Sequence, residues 1–189
     1  MGSGERARME ISRREFLAAA AALGASLAWG EALARPSRVP WHERRDLFPE
    51  GVASGDPQSD SVLLWTRYPR SAGSTEARLT LEVSEDEAFE RIVATARARV
   101  GAASDWTCRV LAGGLKPARE YWYRFTDDAG AGSRIGRTIT APRSEDPRPV
   151  RFAFVSCQNV NQGAQNAYRR MIHEDQAGRG APLLRAPSG

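Results

Sequence analysis

The stretch Phe48–Arg67 reads FPEGVASGDPQSDSVLLWTR and describes a tight turn that leads into a strand. Gly51 and Gly55 permit positive φ angles, and the dipeptide Asp56-Pro57 favours a turn. The run Val62–Trp65 is bulky and rich in residues with high β propensity. The stretch therefore predicts a β-strand that the chain enters through a turn.

Further strands are predicted on the C-terminal side by period-two alternation of apolar and polar residues. The inward-facing sets are Leu79, Leu81 and Val83; Ile92, Ala94, Ala96, Ala98 and Val100; Trp106, Cys108 and Val110; and Tyr121, Tyr123 and Phe125. Segments rich in Gly, Pro, Asp and Ser separate them. This pattern indicates a mainly β chain with a β-sandwich over residues 39–143, in which Trp65, Trp106 and Tyr121 are largely buried.

A ten-residue segment indicates which type of sandwich the chain forms. Residues Gly114–Tyr123, GLKPAREYWY, resemble the L-x-P-x-x-x-Y-x-Y corner of fibronectin III-type domains. In such a corner a tyrosine hydroxyl anchors the crossing between strands. The resemblance implies a fibronectin III/immunoglobulin-like sandwich. The alternative for these aromatic residues is an exposed platform for a sugar, but their alternation favours the core.

The pattern changes after the polar, proline-bearing linker Ser144–Pro149. Val150–Val155 is a short apolar run that predicts a buried strand. A helix is predicted over Ala164–Gln176, with an apolar face formed by Ala164, Ala167, Tyr168, Met171 and Ile172. Strand, loop and helix over 149–176 predict the start of an α/β domain, and sites in such folds lie where strands end. Cys157 lies at such an end.

On spacing alone, Cys157 is expected to be a buried structural thiol, and a disulfide with Cys108 is the alternative. The disulfide is disfavoured because Cys108 lies on a core strand and Cys157 in a loop of another unit. The last segment, residues 177–189, is rich in Gly, Pro, Ala and Arg and has no periodicity. We expect this atypical tail to reflect an out-of-frame or truncated gene, with a linker as the alternative.

The N-terminal segment 1–34 has the layout of a secretory leader. Arg13-Arg14 precede the apolar run Ala18–Trp29, and Ala32-Leu33-Ala34 supplies small residues for cleavage after Ala34. The adjacent arginines resemble a twin-arginine (Tat) signal. The apolar run is shorter than the ~20 residues of a spanning helix, so no stable membrane anchor is expected. The expected location is periplasmic or secreted; the alternatives are an amphipathic helix or an uncleaved anchor.

Charge and composition exclude several function classes. The 189 residues carry a formal net charge of +4, and Lys116 is the only lysine among 27 basic residues. The arginines are scattered without interleaved aromatics, which disfavours a nucleic-acid partner. His42 and His173 are expected to be solvated. The sequence shows no arrangement of residues for Ser or Cys nucleophilic catalysis.

The signature GVASGDP followed by SVLLWTR closely resembles the N-terminal signature of the alkaline phosphatase D (PhoD) family. The resemblance runs from about Phe48 to about Asp175. It implies that residues 149–176 open a metallophosphatase domain and that Cys157 occupies the place of an iron ligand. For the full-length relative it also implies Fe3+ and Ca2+ as cofactors and a phosphate ester as substrate, and the Tat translocase is the expected export partner. This fragment is not expected to bind the metals. The family's further ligands, from a Gly-Asp segment, an Asn and later His and Asp residues, are not recognised here.

Two functions follow as expectations. The first is the N-terminal portion of an exported PhoD-type alkaline phosphatase or phosphodiesterase, with this fragment inactive on its own. The alternative is a non-catalytic secreted β-sandwich that binds a surface, a glycan or a protein partner.

Overall fold

The structure is a computed structural model that describes residues 26–69, 75–149, 152–156, 159, 161 and 165–177. For residues 29–33 and 175–177 it describes the backbone alone. The chain divides into two compact units between Ser144 and Glu145. This boundary coincides with the start of the linker that the sequence predicts over Ser144–Pro149.

The first unit is built from strands, as predicted. They are β1 (Ser26–Arg35), β2 (His42–Glu43), β3 (Val52–Gly55), β4 (Ser61–Arg67), β5 (Glu76–Ser84), β6 (Ile92–Gly101), β7 (Thr107–Gly113), β8 (Glu120–Asp127), β9 (Ala131–Gly132) and β10 (Gly136–Ile139). The order of hydrogen-bonded neighbours is β2-β9-β8-β5-β6-β1-β7-β4-β3, with β10 also paired to β8. A single turn of 3-10 helix, Ala102–Ser104, connects β6 to β7.

The layers of the sandwich follow from this order. One layer is centred on β5, which pairs antiparallel with β6 and β8. The other layer is β3-β4-β7, again antiparallel. The predicted inward-facing residues form the core between them: Leu79, Leu81, Val83, Ala94, Ala96, Ala98, Val100, Cys108, Val110, Tyr121, Tyr123 and Phe125 are all buried in one cluster. The prediction of a mainly β sandwich is confirmed.

The two tryptophans are less buried than the predicted corner residue Tyr121. Tyr121 is 1% exposed, whereas Trp65 and Trp106 are only half-buried. In β4 the side chains of Val62 and Leu64 point into the core, so Trp65 lies on the outer face of the strand. Trp106 lies in the turn before β7, with a positive φ of 59°.

The predicted leader 1–34 overlaps the first strand. Residues 1–25 lie outside the described part of the chain, and residues 26–34 belong to β1. Within β1 the side chain of Ala28 is fully buried in the core. No helix in the described ranges is long and apolar enough to cross a bilayer.

In the second unit the structure describes the helix α1 (Asn166–Ala177), which confirms the predicted helix to within two residues at each end. The predicted strand over Val150–Val155 is wrong for the residues that are described. Residues 152–156 have no regular structure, and Phe152 and Phe154 are 66% and 73% exposed. A strand needs a neighbour for its main-chain groups, and no described segment pairs with this one. The tail after Ala177 lies outside the described residues.

Candidate functional site

The signature segment forms a braced hairpin. Gly51 has a φ of 71°, which glycine adopts without strain. Its carbonyl accepts a hydrogen bond from the Thr66 hydroxyl at 2.7 Å. The Arg67 guanidinium donates to the Glu50 carboxylate at 2.6 Å and to the main-chain oxygen of Asp105 at 3.0 Å. These residues therefore join β4 to the turns on either side.

The corner before β8 is closed by a tyrosine hydroxyl, as the sequence predicts. The main-chain N–H of Lys116 donates to Tyr121 Oη at 2.8 Å, and the Thr140 hydroxyl donates to the Lys116 carbonyl at 2.6 Å. Tyr121, Tyr123 and Phe125 are 1%, 2% and 0% exposed. The aromatic residues of β8 on this face therefore form core and corner, and they offer no platform for a sugar.

A buried ion pair ties the entry segment to the sandwich. The Arg124 guanidinium donates to Glu82 Oε2 from Nη2 at 2.8 Å and from Nε at 3.1 Å. The Ser37 hydroxyl donates to the other carboxylate oxygen of Glu82 at 2.6 Å. The guanidinium also lies over the rings of Trp41 and Phe89, at 5.2 and 4.0 Å from their centroids. The charges are compensated within the fold, so this cluster is structural.

A second carboxylate is surrounded by cations at the surface. The Glu85 side chain is 3% exposed, and its oxygens lie 2.6 Å from Arg91, 3.0 Å from Lys116 and 3.4 Å from Arg119. The hydrogen bond from Arg91 is the main cause that lowers the pKa of Glu85, followed by that from Lys116. The three cations share this carboxylate, which links the β5–β6 turn to the tyrosine corner.

An open cleft of about 370 Å³ lies beside the ends of β5, β6 and β8. It is lined by Tyr68, Glu76, Ala77, Arg78, Arg99, Asp127, Asp128 and Ala129. The Tyr68 hydroxyl donates to Asp127 Oδ2 at 2.7 Å, and Asp127 Oδ1 accepts from the main-chain N–H groups of Ala129 and Ala131. The Asp127 carboxylate is therefore occupied in holding the turn after β8.

The predicted metal ligand Cys157 lies outside the described residues. Cys108 is buried in β7, and burial raises the pKa of its thiol to about 12, so it is protonated near neutral pH. No three His, Cys, Asp or Glu side chains of the described ranges are grouped closely enough to hold a metal ion. The described residues therefore do not fit an iron and calcium centre. His42 and His173 are both exposed.

Comparison with known proteins identifies the sandwich. Residues 32–142 match the family model described as PhoD-like phosphatase, N-terminal domain. The chain belongs to this family. The resemblance predicted from Phe48–Arg67 is thus confirmed, and the PhoD-like domain contains β2 to β10 together with the end of β1.

Relatives of the PhoD-like family extend the match beyond the domain. Alkaline phosphatase D from Bacillus subtilis (strain 168) is 38% identical over 135 residues, which are 67% of this chain and 23% of that protein. The solved structure of PhoD is 36% identical, with a TM-score of 0.62, and the match covers 65% of this chain and 25% of that one. The chain therefore spans about a quarter of the length of these two relatives.

Proposed function

We propose that this chain is the N-terminal part of an exported PhoD-type phosphoester hydrolase. The observation that carries the proposal is the 38% identity over 135 residues with an alkaline phosphatase D. In the longer protein, a metal centre with Fe3+ and Ca2+ would hydrolyse phosphomonoesters or phosphodiesters. The 189-residue chain on its own would be inactive, because one thiolate cannot hold such a centre without further ligands.

The sandwich would act as a rigid structural module of that hydrolase. Its ionic groups support this role. Arg124 pairs with buried Glu82, and the cations around Glu85 share one carboxylate. Arg67 is held by Glu50 and Asp105. Charged groups that are engaged with each other brace turns and strands, whereas substrate binding needs groups that are available to the substrate.

We assign the iron-ligand position of the longer protein to Cys157. The assignment rests on the match of Phe152–Gln158, FAFVSCQ, to the family's F-x-S-C-Q segment. A trivalent metal stabilises a thiolate, and a cysteine in a loop after an apolar run can reach a metal at the edge of a domain. Cys108 lacks both features, because it is buried in a strand of the sandwich.

The experiment is a chimera in which the remainder of a PhoD-family catalytic domain follows Asp175. The chimera should hydrolyse a phosphodiester and bind iron. Cys157→Ala should lower both turnover and iron content at least tenfold. Cys108→Ala, the same substitution at the other cysteine, should leave the iron content unchanged. Full activity and iron content in the Cys157→Ala chimera would overturn the ligand assignment.

The proposed export is tested separately. Arg13-Arg14 should direct the folded chain to the Tat translocase, followed by cleavage after Ala34. Replacing both arginines with lysine should leave the protein in the cytoplasmic fraction as precursor. Unchanged export, or a mature N-terminus far from Arg35, would contradict this part of the proposal.

A further inference from the structure

Strand β1 occupies an unusual position, because it lies between two strands that are consecutive in the chain. On one side Ser26, Leu27, Ala28 and Trp29 pair in parallel with Val110, Leu111, Ala112 and Gly113 of β7. On the other side Trp29, Gly30 and Arg35 pair antiparallel with Thr95, Ala94 and Ile92 of β6. The strand thereby joins the two layers of the sandwich.

The course of β6 and β7 explains the gap that β1 fills. The two strands meet at the 3-10 turn Ala102–Ser104, where the Trp106 N–H donates to the Gly101 carbonyl at 2.9 Å. From this turn they diverge, β6 toward β5 and β7 toward β4. β1 pairs only with the ends that are remote from the turn. Strand β1 therefore lies between the diverging ends of the β6–β7 hairpin.

Backbone pairing on both sides holds this strand, and Leu27 packs against Leu111 of β7. The side chain of Ala28 is fully buried, but it contributes a single methyl group to the core. Ala112 of β7, which pairs with Ala28, and Ala94 of β6, which pairs with Gly30, are also small, and both are fully buried. Withdrawal of the strand would leave the facing edges of β6 and β7 without a partner strand.

The same residues form the end of the proposed leader. The bond after Ala34 lies within the last residues of β1, where Ala34 and Arg35 are exposed. We infer that the gap between β6 and β7 is a strand-acceptor site that holds the leader segment Ser26–Arg35 in the folded precursor. Leader cleavage then removes the strand and exposes the facing edges of β6 and β7.

This inference rests on the proposed export only for the cleavage step. Occupancy of the site is measured on the purified 189-residue chain, without any export or phosphatase assay, so its failure is distinguishable from failure of the proposed function. Amide hydrogen exchange is followed at those amides of residues 92–95 and 110–113 that point toward β1, since the alternate amides pair with β5 and β4. Residues 79–83 in β5 are the internal reference. In the intact chain the first two segments should be protected, yet open more readily than the third.

Two variants distinguish the release of β1 from unfolding of the whole sandwich. Ala28→Asp places a carboxylate in the core and should raise exchange at least tenfold at the amides of residues 92–95 and 110–113 that point toward β1, while 79–83 stay protected. Ala34→Asp is the same substitution at an exposed position of β1 and should behave as wild type. Unchanged protection in Ala28→Asp would overturn the inference. So would protection lost throughout the sandwich, because β1 would then be an obligate strand rather than a removable one.

Discussion

The phenolic oxygen of Tyr121 accepts a hydrogen bond from the main-chain N–H of Lys116, five residues earlier, at 2.8 Å. This bond closes the loop between β7 and β8 and satisfies a donor beside the core. Burial of the ring is the main cause that raises the pKa of Tyr121, so the hydroxyl stays protonated at neutral pH. The corner connects β7 of one layer to β8 of the other.

Tyr121→Phe should destabilise the sandwich by about 1–3 kcal/mol, because it leaves the Lys116 N–H without its acceptor. Urea unfolding measures the change. Tyr168→Phe, in the exposed part of α1, removes a hydroxyl outside the sandwich and should leave the free energy of unfolding unchanged. Equal stability of Tyr121→Phe and wild type would mean that the hydrogen bond at the corner contributes nothing to the free energy of unfolding.

Leu81→Asp tests the face assignment of β5. Leu81 is 1% exposed, so the substitution buries an unpaired charge and should cost several kcal/mol, on the order of the whole stability margin. Thr80→Asp is the control one residue away, on the other face of the strand. Thermal unfolding by circular dichroism should show a large loss for Leu81→Asp and a small one for Thr80→Asp. A wild-type midpoint for Leu81→Asp would contradict the assignment.

Glu85 should contribute to the pH dependence of stability. Its pKa is lowered in the folded state, so its contribution is present above the ordinary value of 4.5 and is lost as the pH falls through the lowered pKa. The partner cations are 46–66% exposed, so each pair is worth about 1 kcal/mol or less. Glu85→Gln should lower the thermal midpoint at pH 7 and flatten its decline below pH 4.5.

The matched control for Glu85 is Glu87→Gln, in the exposed part of the same turn. It should keep the wild-type dependence of the thermal midpoint on pH. Identical pH profiles for the Glu85 and Glu87 variants would show that the cluster of cations does not act through Glu85.

The strands and their buried faces could be predicted from the sequence where apolar and polar residues alternate along the strand. Leu79, Leu81 and Val83 share the buried face of β5 because successive residues of a strand point to opposite sides. The same rule, applied to β4, places Trp65 on the face opposite to Val62 and Leu64, which is why Trp65 is half-buried and lies outside the core. The tyrosine corner was predictable because its residues lie close together in the sequence.

Features that depend on distant residues were not predictable. Ala-rich residues 26–35 form a strand only because the ends of β6 and β7 offer unpaired edges, and nothing local to an alanine run indicates this. The pairing of Glu82 with Arg124 joins neighbouring strands that are 42 residues apart in the chain. Glu82 occupies a polar position in the alternation of β5, yet it is 3% exposed because Arg124 and Ser37 cover it.

The measurement that tests the central proposal most directly is a phosphoesterase assay of the purified 189-residue chain, with iron and calcium supplied. We expect no hydrolysis of phosphomonoesters or phosphodiesters above background, because the proposed metal centre needs ligands from the longer protein. The chimera extended after Asp175, assayed beside it, should turn over the same substrates. Clear metal-dependent turnover by the 189-residue chain would contradict the account, as would a folded but inactive chimera.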